Sequence, residues 1–263
     1  MKPAHPASSN DIAEAFDRGA EAYDYHARIQ QHCARLLETR IASFLGDSPI
    51  LRVVDLGCGT GTFTRALAQR YPHAAFVACD IATAMVEKTQ ASLNAIALPD
   101  EQRRFSVLQA DAETATFSPS PDLVASNLAM QWFADPLGAL AHHARRSHFL
   151  AWTTLIQGTF ASWIAAHESR GFSHGLRSLL DAASIVATAE RLNPLRLSCT
   201  IDQVDEHFPN AIAFLRDLRS MGANTARPDH APTPLHQIIR SFEAGFTAEY
   251  RICTILLEMR RPR

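Results

Sequence analysis

The residues most suited to chemistry cluster in Val53-Val54-Asp55-Leu56-Gly57-Cys58-Gly59-Thr60-Gly61-Thr62. Gly57, Gly59 and Gly61 allow backbone to turn sharply and approach a bound molecule closely. Asp55 stands just before them. The spacing is G-x-G-x-G, unlike the G-x-G-x-x-G fingerprint in which a pyrophosphate rests on a helix N-terminus. The shorter repeat suits a ligand without phosphates. Asp80, followed by Ile81, lies about 20 residues further on, where an acid can accept hydrogen bonds from ribose hydroxyls. Asp111, followed by Ala112, occupies the equivalent place one strand later and can face the adenine end of the same ligand. Each acid alone reads equally well as a helix cap. Three acids at successive strand ends beside a glycine loop read together as a binding edge.

Other residues carry weaker signals. Asn127 and Gln131 are polar among the apolar residues of SNLAMQW (126–132) and need partners. Trp132 reads equally as packing. Tyr23 and His26 lie on an N-terminal helical stretch; Tyr23 is either core or a wall of a pocket beneath that stretch. Arg219 sits on an amphipathic helix where solvation is the default, as it is for Arg145 and Arg146. Cys58 reads as inert filler in the loop.

These residues need a frame. ILRVVDLG, AAFVACD (74–80), RFSVLQAD (104–111), PDLVASNLA (121–129) and HFLAWTTL (148–155) read as strands, and helical patterns cover 62–70, 82–93 and 136–146. Alternation at this spacing predicts an α/β, doubly wound, mostly parallel sheet. Ahead of it, residues 11–45 read as helical, after a loose tail at 1–10. Behind it, 159–192 reads as mostly helical, 198–208 as a strand, 209–221 as a helix, 223–234 as a loop, 235–244 as a helix and 248–259 as a late strand. The expectation is seven strands with a helical lid inserted late in the chain.

Composition bounds the function classes. The chain has 263 residues, 47% hydrophobic and 20% charged, which suits a globular core rather than disorder. No apolar run reaches the ~18 residues of a membrane span, and the first residues show no secretory pattern. A formal net charge of −2 gives no overall pull toward nucleic acid. The five cysteines are scattered without a C-x-x-C pair, and the twelve histidines, including adjacent His142 and His143, show no ligand spacing. The expectation is therefore a cytoplasmic protein with no metal, no nucleic-acid partner and no membrane partner.

DLGCGTG closely resembles the first motif of the class I S-adenosylmethionine-dependent methyltransferases, with Asp80 and Asp111 matching their ribose and adenine-side acids. The resemblance implies S-adenosylmethionine as methyl donor, a Rossmann-like fold and Asp55 near the donor's amino group. It assigns the cofactor to Asp55, Gly57, Gly59, Gly61, Asp80, Ile81, Asp111, Ala112 and Asn127. Adding IAEAFDRGAEAYDYHARIQ (12–30), SNLAMQW, TTLIQGTF (153–160), FLRDLRSMGANT (214–225) and the strand beginning EYRI, the chain is similar to the malonyl-acyl-carrier-protein O-methyltransferases of biotin synthesis. It departs from that pattern in the short link before the fifth strand and in Gly-Ala-Asn where the family has Gly-Ala-Thr.

The implied acceptor is the free carboxylate of a malonyl thioester on acyl carrier protein or coenzyme A. Tyr23, Asn127, Gln131 and Arg219 are then the expected catalytic residues. Arg219 would hold the carboxylate or, alternatively, dock the acidic carrier. The implied division is an N-terminal helical cap at 1–45, a donor-binding core at 46–156, and the lid with the last two strands at 157–263. The competing readings are a methyltransferase of another small carboxylate or a quinone, and a non-catalytic cofactor-binding subunit. A nicotinamide dehydrogenase is disfavoured by the glycine spacing.

Overall fold

A computed structural model describes residues 9–96, 104–223 and 233–261. The tail expected at 1–10 and the loop at 223–234 fall mostly outside them, as do Asn224 and Thr225. The chain opens with α1 (Ser9–Gly19), the short α2 (Tyr23–His26) and α3 (Arg28–Leu45). Then follow β1 (Arg52–Leu56), α4 (Thr62–Arg70), β2 (Ala75–Asp80), α5 (Thr83–Asn94), β3 (Phe105–Gln109), β4 (Leu123–Asn127), α6 (Pro136–Ala144) and β5 (Phe149–Leu155). The last part holds α7 (Ala161–Glu168), α8 (Ala182–Arg191), β6 (Arg196–Phe208), α9 (Ala211–Ser220), α10 (Leu235–Ile239) and β7 (Phe246–Glu258).

Seven strands form one sheet in the order β3-β2-β1-β4-β5-β7-β6. The first five are parallel, and β7 runs antiparallel to both β5 and β6. The strand reversal between β1 and β4 opens a crevice at the carboxyl edge, the usual ligand position in such sheets.

The near-continuous apolar strands serve both faces, because successive side chains alternate. Val53, Leu123, Phe149 and Ala151 pack with Leu37 and Ile41 of α3, Leu67 of α4 and Leu93 of α5. Their neighbours Val54, Val124, Leu150 and Trp152 pack on the opposite face against Leu140 of α6 and Ile185 and Ala189 of α8.

Two departures from the sequence reading bear on the site. Residues 172–181 are not helical. Gly171 and Gly175 both have φ +71°, which ends any helix there. The second departure is in the lid, which is not purely helical. Leu155, the last residue of β5, pairs with Ile252, while β7 continues back to Phe246 against Phe208 of β6. This two-stranded overhang rises past the carboxyl edge. Its inward residues Phe208, Phe246, Ala248 and Tyr250 join Phe160 and Trp163 near α7 and Phe214 of α9 in an aromatic cluster.

The N-terminal cap meets this lid at close range. A Cβ on Gly222, just past α9, would lie 2.2 Å from the Ala15 carbonyl oxygen of α1, so only glycine fits the crossing. His26 and the buried Asp217 of α9 join the same two regions through an Nδ1–Oδ1 contact of 2.5 Å.

Candidate active site

The glycine loop hangs from the end of β2. The Gly57 and Cys58 amides donate to the Cys79 carbonyl at 2.8 and 3.0 Å. Asp80 clamps the arrangement: its carboxylate accepts from the Gly59 amide at 2.9 Å and the Ala82 amide at 3.0 Å. Gly57 and Gly59 have φ +69° and +55°, and a Cβ on Gly57 would meet the Ala129 Cβ at 2.4 Å. A Cβ on Gly59 would instead point into open space, with Tyr23 Cε1 as nearest atom at 3.8 Å.

That space belongs to a cavity of about 710 Å³ above the carboxyl edge of the sheet. Gly57, Gly59, Asp80, Ile81, Asp111, Ala112 and Asn127 line one side, together with Tyr23. Asp111 accepts from the Glu113 amide at 2.9 Å, and Glu113 in turn accepts from the amides of Ala134 and Asp135. Asp80 and Asp111 are thus fixed by main-chain donors, although neither caps a helix, and both face the cavity.

Asp55 and Gly61 stand behind this wall. Asp55 borders a small side pocket with Gln30, Gly59 and Asn127, and accepts from the Thr64 hydroxyl at 2.6 Å. Burial pushes its carboxyl up to about 7, with the Thr64 bond pulling the other way and Asp80 adding to the rise. Gly61, at φ +83°, lies against Thr89 of α5. Burial also raises Asp80, opposed by its amide donors, and raises the Tyr23 hydroxyl, with Asp80 and Asp24 reinforcing the effect.

Asn127 and Gln131 find their partners within the protein. Asn127 donates to the Gln30 carbonyl at 2.9 Å and accepts from Thr153. Gln131 donates to the Leu128 carbonyl at 2.6 Å and accepts from Thr154. Between them Leu128 is held at φ +54°, an uncommon conformation for a non-glycine residue. Both amides therefore set the shape of the wall after β4. Trp132 lines the cavity and packs edge-on against Phe16 of α1, at 5.2 Å between centroids. Cys58 is buried and its thiol is pushed well up by burial and the nearby acids, which makes it a poor nucleophile.

The other side of the cavity is apolar and aromatic: Phe160, Trp163, Ile164, Phe214, Leu218 and Tyr250. Arg219 borders it but is exposed. Two lining residues escaped the sequence reading. Gln30 Oε1 is buried with no hydrogen-bond partner. Arg177, within 172–181, places its guanidinium carbon over the Trp132 ring, 5.8 Å from the centroid. Gln30 closes the 12–30 segment that carries the family resemblance but had no role assigned to it, and Arg177 lay in a segment read as helical.

Similarity to known proteins now decides the family. Residues 53–147 match the family described as Methyltransferase domain. The malonyl-[acyl-carrier protein] O-methyltransferase of Magnetococcus marinus is 32% identical over 88% of this chain and 87% of its own. The chain belongs to that family. It is an S-adenosylmethionine-dependent methyltransferase, and the relationship extends well beyond residues 53–147. The biotin biosynthesis bifunctional protein BioCD of Bordetella avium is 35% identical over 88% of this chain, which spans about half (48%) of that longer protein. Among solved structures, the YcgJ protein of Bacillus subtilis superposes with a TM-score of 0.58 at 15% identity, covering 87% of this chain and 100% of that one. Magnesium protoporphyrin IX methyltransferase of Synechocystis, with bound S-adenosylhomocysteine, gives 0.57 at 15% identity, covering 89% and 86%. These two establish the fold.

Proposed function

We propose that this chain transfers a methyl group from S-adenosylmethionine to the free carboxylate of a malonyl thioester on acyl carrier protein, the step that starts pimeloyl synthesis for biotin. The observation that carries this reading is the divided cavity. Acids and glycine backbone line one side, an aromatic lid closes the other, and the family relationship extends over both.

The residues present fit the donor. Asp80 offers its remaining carboxylate lone pairs to the ribose hydroxyls, and Ile81, Asp111 and Ala112 border the adenine position. Gly57 and Gly59 give backbone access. The unpartnered Gln30 Oε1 supplies an acceptor for an ammonium group, with Asp55 and Asn127 behind it. Tyr23 closes the wall from above. The donor supplies an electrophilic methyl group on a cationic sulfur.

The acceptor carboxylate is already ionised at neutral pH, since such acids titrate near 4. No side chain needs to remove a proton. The protein's work is positioning and exclusion of water, which suits a cap and lid locked together at Gly222 and His26–Asp217. Asn127 and Gln131 hold the wall after β4 on which the reacting groups must align. Arg219, exposed at the cavity mouth with Arg216 on the same helix, suits docking of an acidic carrier. Among the described residues no helix is long and apolar enough to cross a membrane. All five cysteines are free thiols, which fits a cytoplasmic setting.

Labelled S-adenosylmethionine offered with malonyl-carrier protein, malonyl-coenzyme A and free malonate tests the reading. Transfer to a malonyl thioester, seen as base-labile label released as volatile methanol, is expected. Transfer only to an unrelated carboxylate or a quinone, or to nothing, overturns it.

A further inference from the structure

Among the described residues two arginines line the cavity, and their settings differ. Arg219 is exposed at the mouth. Arg177 is half-buried within, and desolvation lowers its pKa. Among the described residues no carboxylate pairs with it; the nearest support is the Trp132 ring. The carboxylates lining the cavity among the described residues, Asp80, Asp111 and Glu113, are held by main-chain amides. A desolvated cation without a counter-ion is costly, and the cost is recovered when an anion enters beside it.

The segment around Arg177 is fixed rather than loose. Leu176 packs into the aromatic lid cluster. Three residues beyond Arg177, the Leu180 carbonyl accepts from the Gln157 amide at 2.9 Å, just after β5. Trp132 ties the other side of the guanidinium to Phe16, which packs edge-on to Tyr23. Arg177 therefore stands where the aromatic half of the cavity meets the half bearing the glycine loop. The Trp132 ring faces the guanidinium as a cation–π partner at 5.8 Å from its centroid and accepts none of its N–H hydrogen bonds, so those donors remain available to a carboxylate.

We propose that Arg177 is the residue that grips the acceptor's carboxylate, a role that the sequence alone had suggested for Arg219; this rests on the malonyl-thioester reading above. The guanidinium binds the carboxylate oxygen that is not methylated. The other oxygen keeps its nucleophilic electron pair, forms the new C–O bond to the methyl group as the sulfur–carbon bond breaks, and the sulfonium leaves as a neutral thioether. No proton moves. Methylation then removes the negative charge that Arg177 recognises. The pairing of two opposite charges becomes a contact between a cation and a neutral ester, so the product ester is held more weakly than the substrate. One residue thereby selects malonyl over uncharged acyl groups and favours product release.

The test compares wild-type enzyme with Arg177→Gln and Arg177→Lys. With malonyl-carrier protein, Arg177→Gln is expected to raise KM ~10- to 100-fold, the loss of a charged hydrogen bond, while Arg177→Lys recovers part of it. Titrations on the S-adenosylhomocysteine complex supply a readout independent of turnover. Malonyl-carrier protein should bind Arg177→Gln more weakly by the same factor, whereas its methyl ester should bind both proteins alike. Donor affinity should be unchanged. An unchanged KM overturns the proposal. So does equal weakening of acid and ester, which marks a structural role, and so does a loss confined to donor affinity, which places Arg177 on the donor's own carboxylate. If wild-type enzyme methylates no malonyl thioester, the functional reading falls and the grip with it.

Discussion

The two halves of the cavity are built in opposite ways. The glycine-loop half comes from consecutive strand ends. Its acids are pinned by amides a few residues away, as Asp80 is by Ala82 and Asp111 by Glu113. The lid half is assembled from segments far apart in the chain. Phe160, Phe214 and Tyr250 meet only because α7, α9 and the β6–β7 overhang converge. The first half presents fixed polar groups to a ligand shared across a fold. The second presents apolar walls and one desolvated cation to a ligand peculiar to this family. On the function proposed above, donor recognition and acceptor recognition are separable, and variants can be aimed at either.

The largest expected effect is at Gly59. Gly59→Val places a side chain in the cavity at a φ of +55°, which β-branched residues avoid. Donor binding should vanish while circular dichroism shows an intact sheet. Retained binding would mean that the loop does not cradle the donor.

Asp80→Ala comes next, because it strands the Gly59 and Ala82 amides and removes the ribose acceptor together. Calorimetry should show donor affinity falling by ~1–3 kcal/mol, accompanied by a lower melting temperature. A lower melting temperature with normal affinity would reduce Asp80 to a brace.

Asp217→Asn should act on the other half. It weakens the contact between cap and lid at His26, and we expect a loss of about 1–2 kcal/mol in stability. KM for the acceptor should rise severalfold with donor affinity intact. An unchanged acceptor KM would remove the latch from the account.

Asp55 gives the smallest signal and the most specific one. Its folded-state pKa of about 7 exceeds the ordinary value near 4, so the free protein binds an extra proton between those limits. Its stability should therefore decline as pH rises from ~4 to ~7. An ammonium group nearby favours the ionised form, so donor binding should release about half a proton at pH 7 and nearer one at about pH 6, and affinity should rise from about pH 6 to 8. Calorimetry in buffers of different ionisation heat measures this. Asp55→Asn should abolish the release; release that persists in the variant assigns the proton elsewhere.

The same contrast governs what the sequence makes legible. DLGCGTG, Asp80 and Asp111 can be read because a strand, its turn and its helix carry the whole signal within a few residues; β6 is legible only through an imperfect alternation of polar and apolar residues. Asn127 and Gln131 are visible as polar residues in apolar company, but their partners, Gln30 and Thr154, are not. Arg177 is invisible. Its importance depends on Trp132, 45 positions earlier in the chain, and on the break in helix that Gly171 and Gly175 impose. The overhang is hidden because an antiparallel pair that outruns its sheet looks in sequence like any long strand. Arg219 stood out through its motif, and its exposure becomes plain only once the lid is folded.

The most direct measurement is a crossed steady-state experiment with malonyl-carrier protein, in which donor and acceptor are each varied for Asp80→Asn and Arg177→Gln. Two separately built halves predict that Asp80→Asn raises KM for S-adenosylmethionine alone, and that Arg177→Gln raises KM for the malonyl thioester alone. If either variant raises both constants by the same factor, the cavity acts as a single site and the division drawn here is wrong.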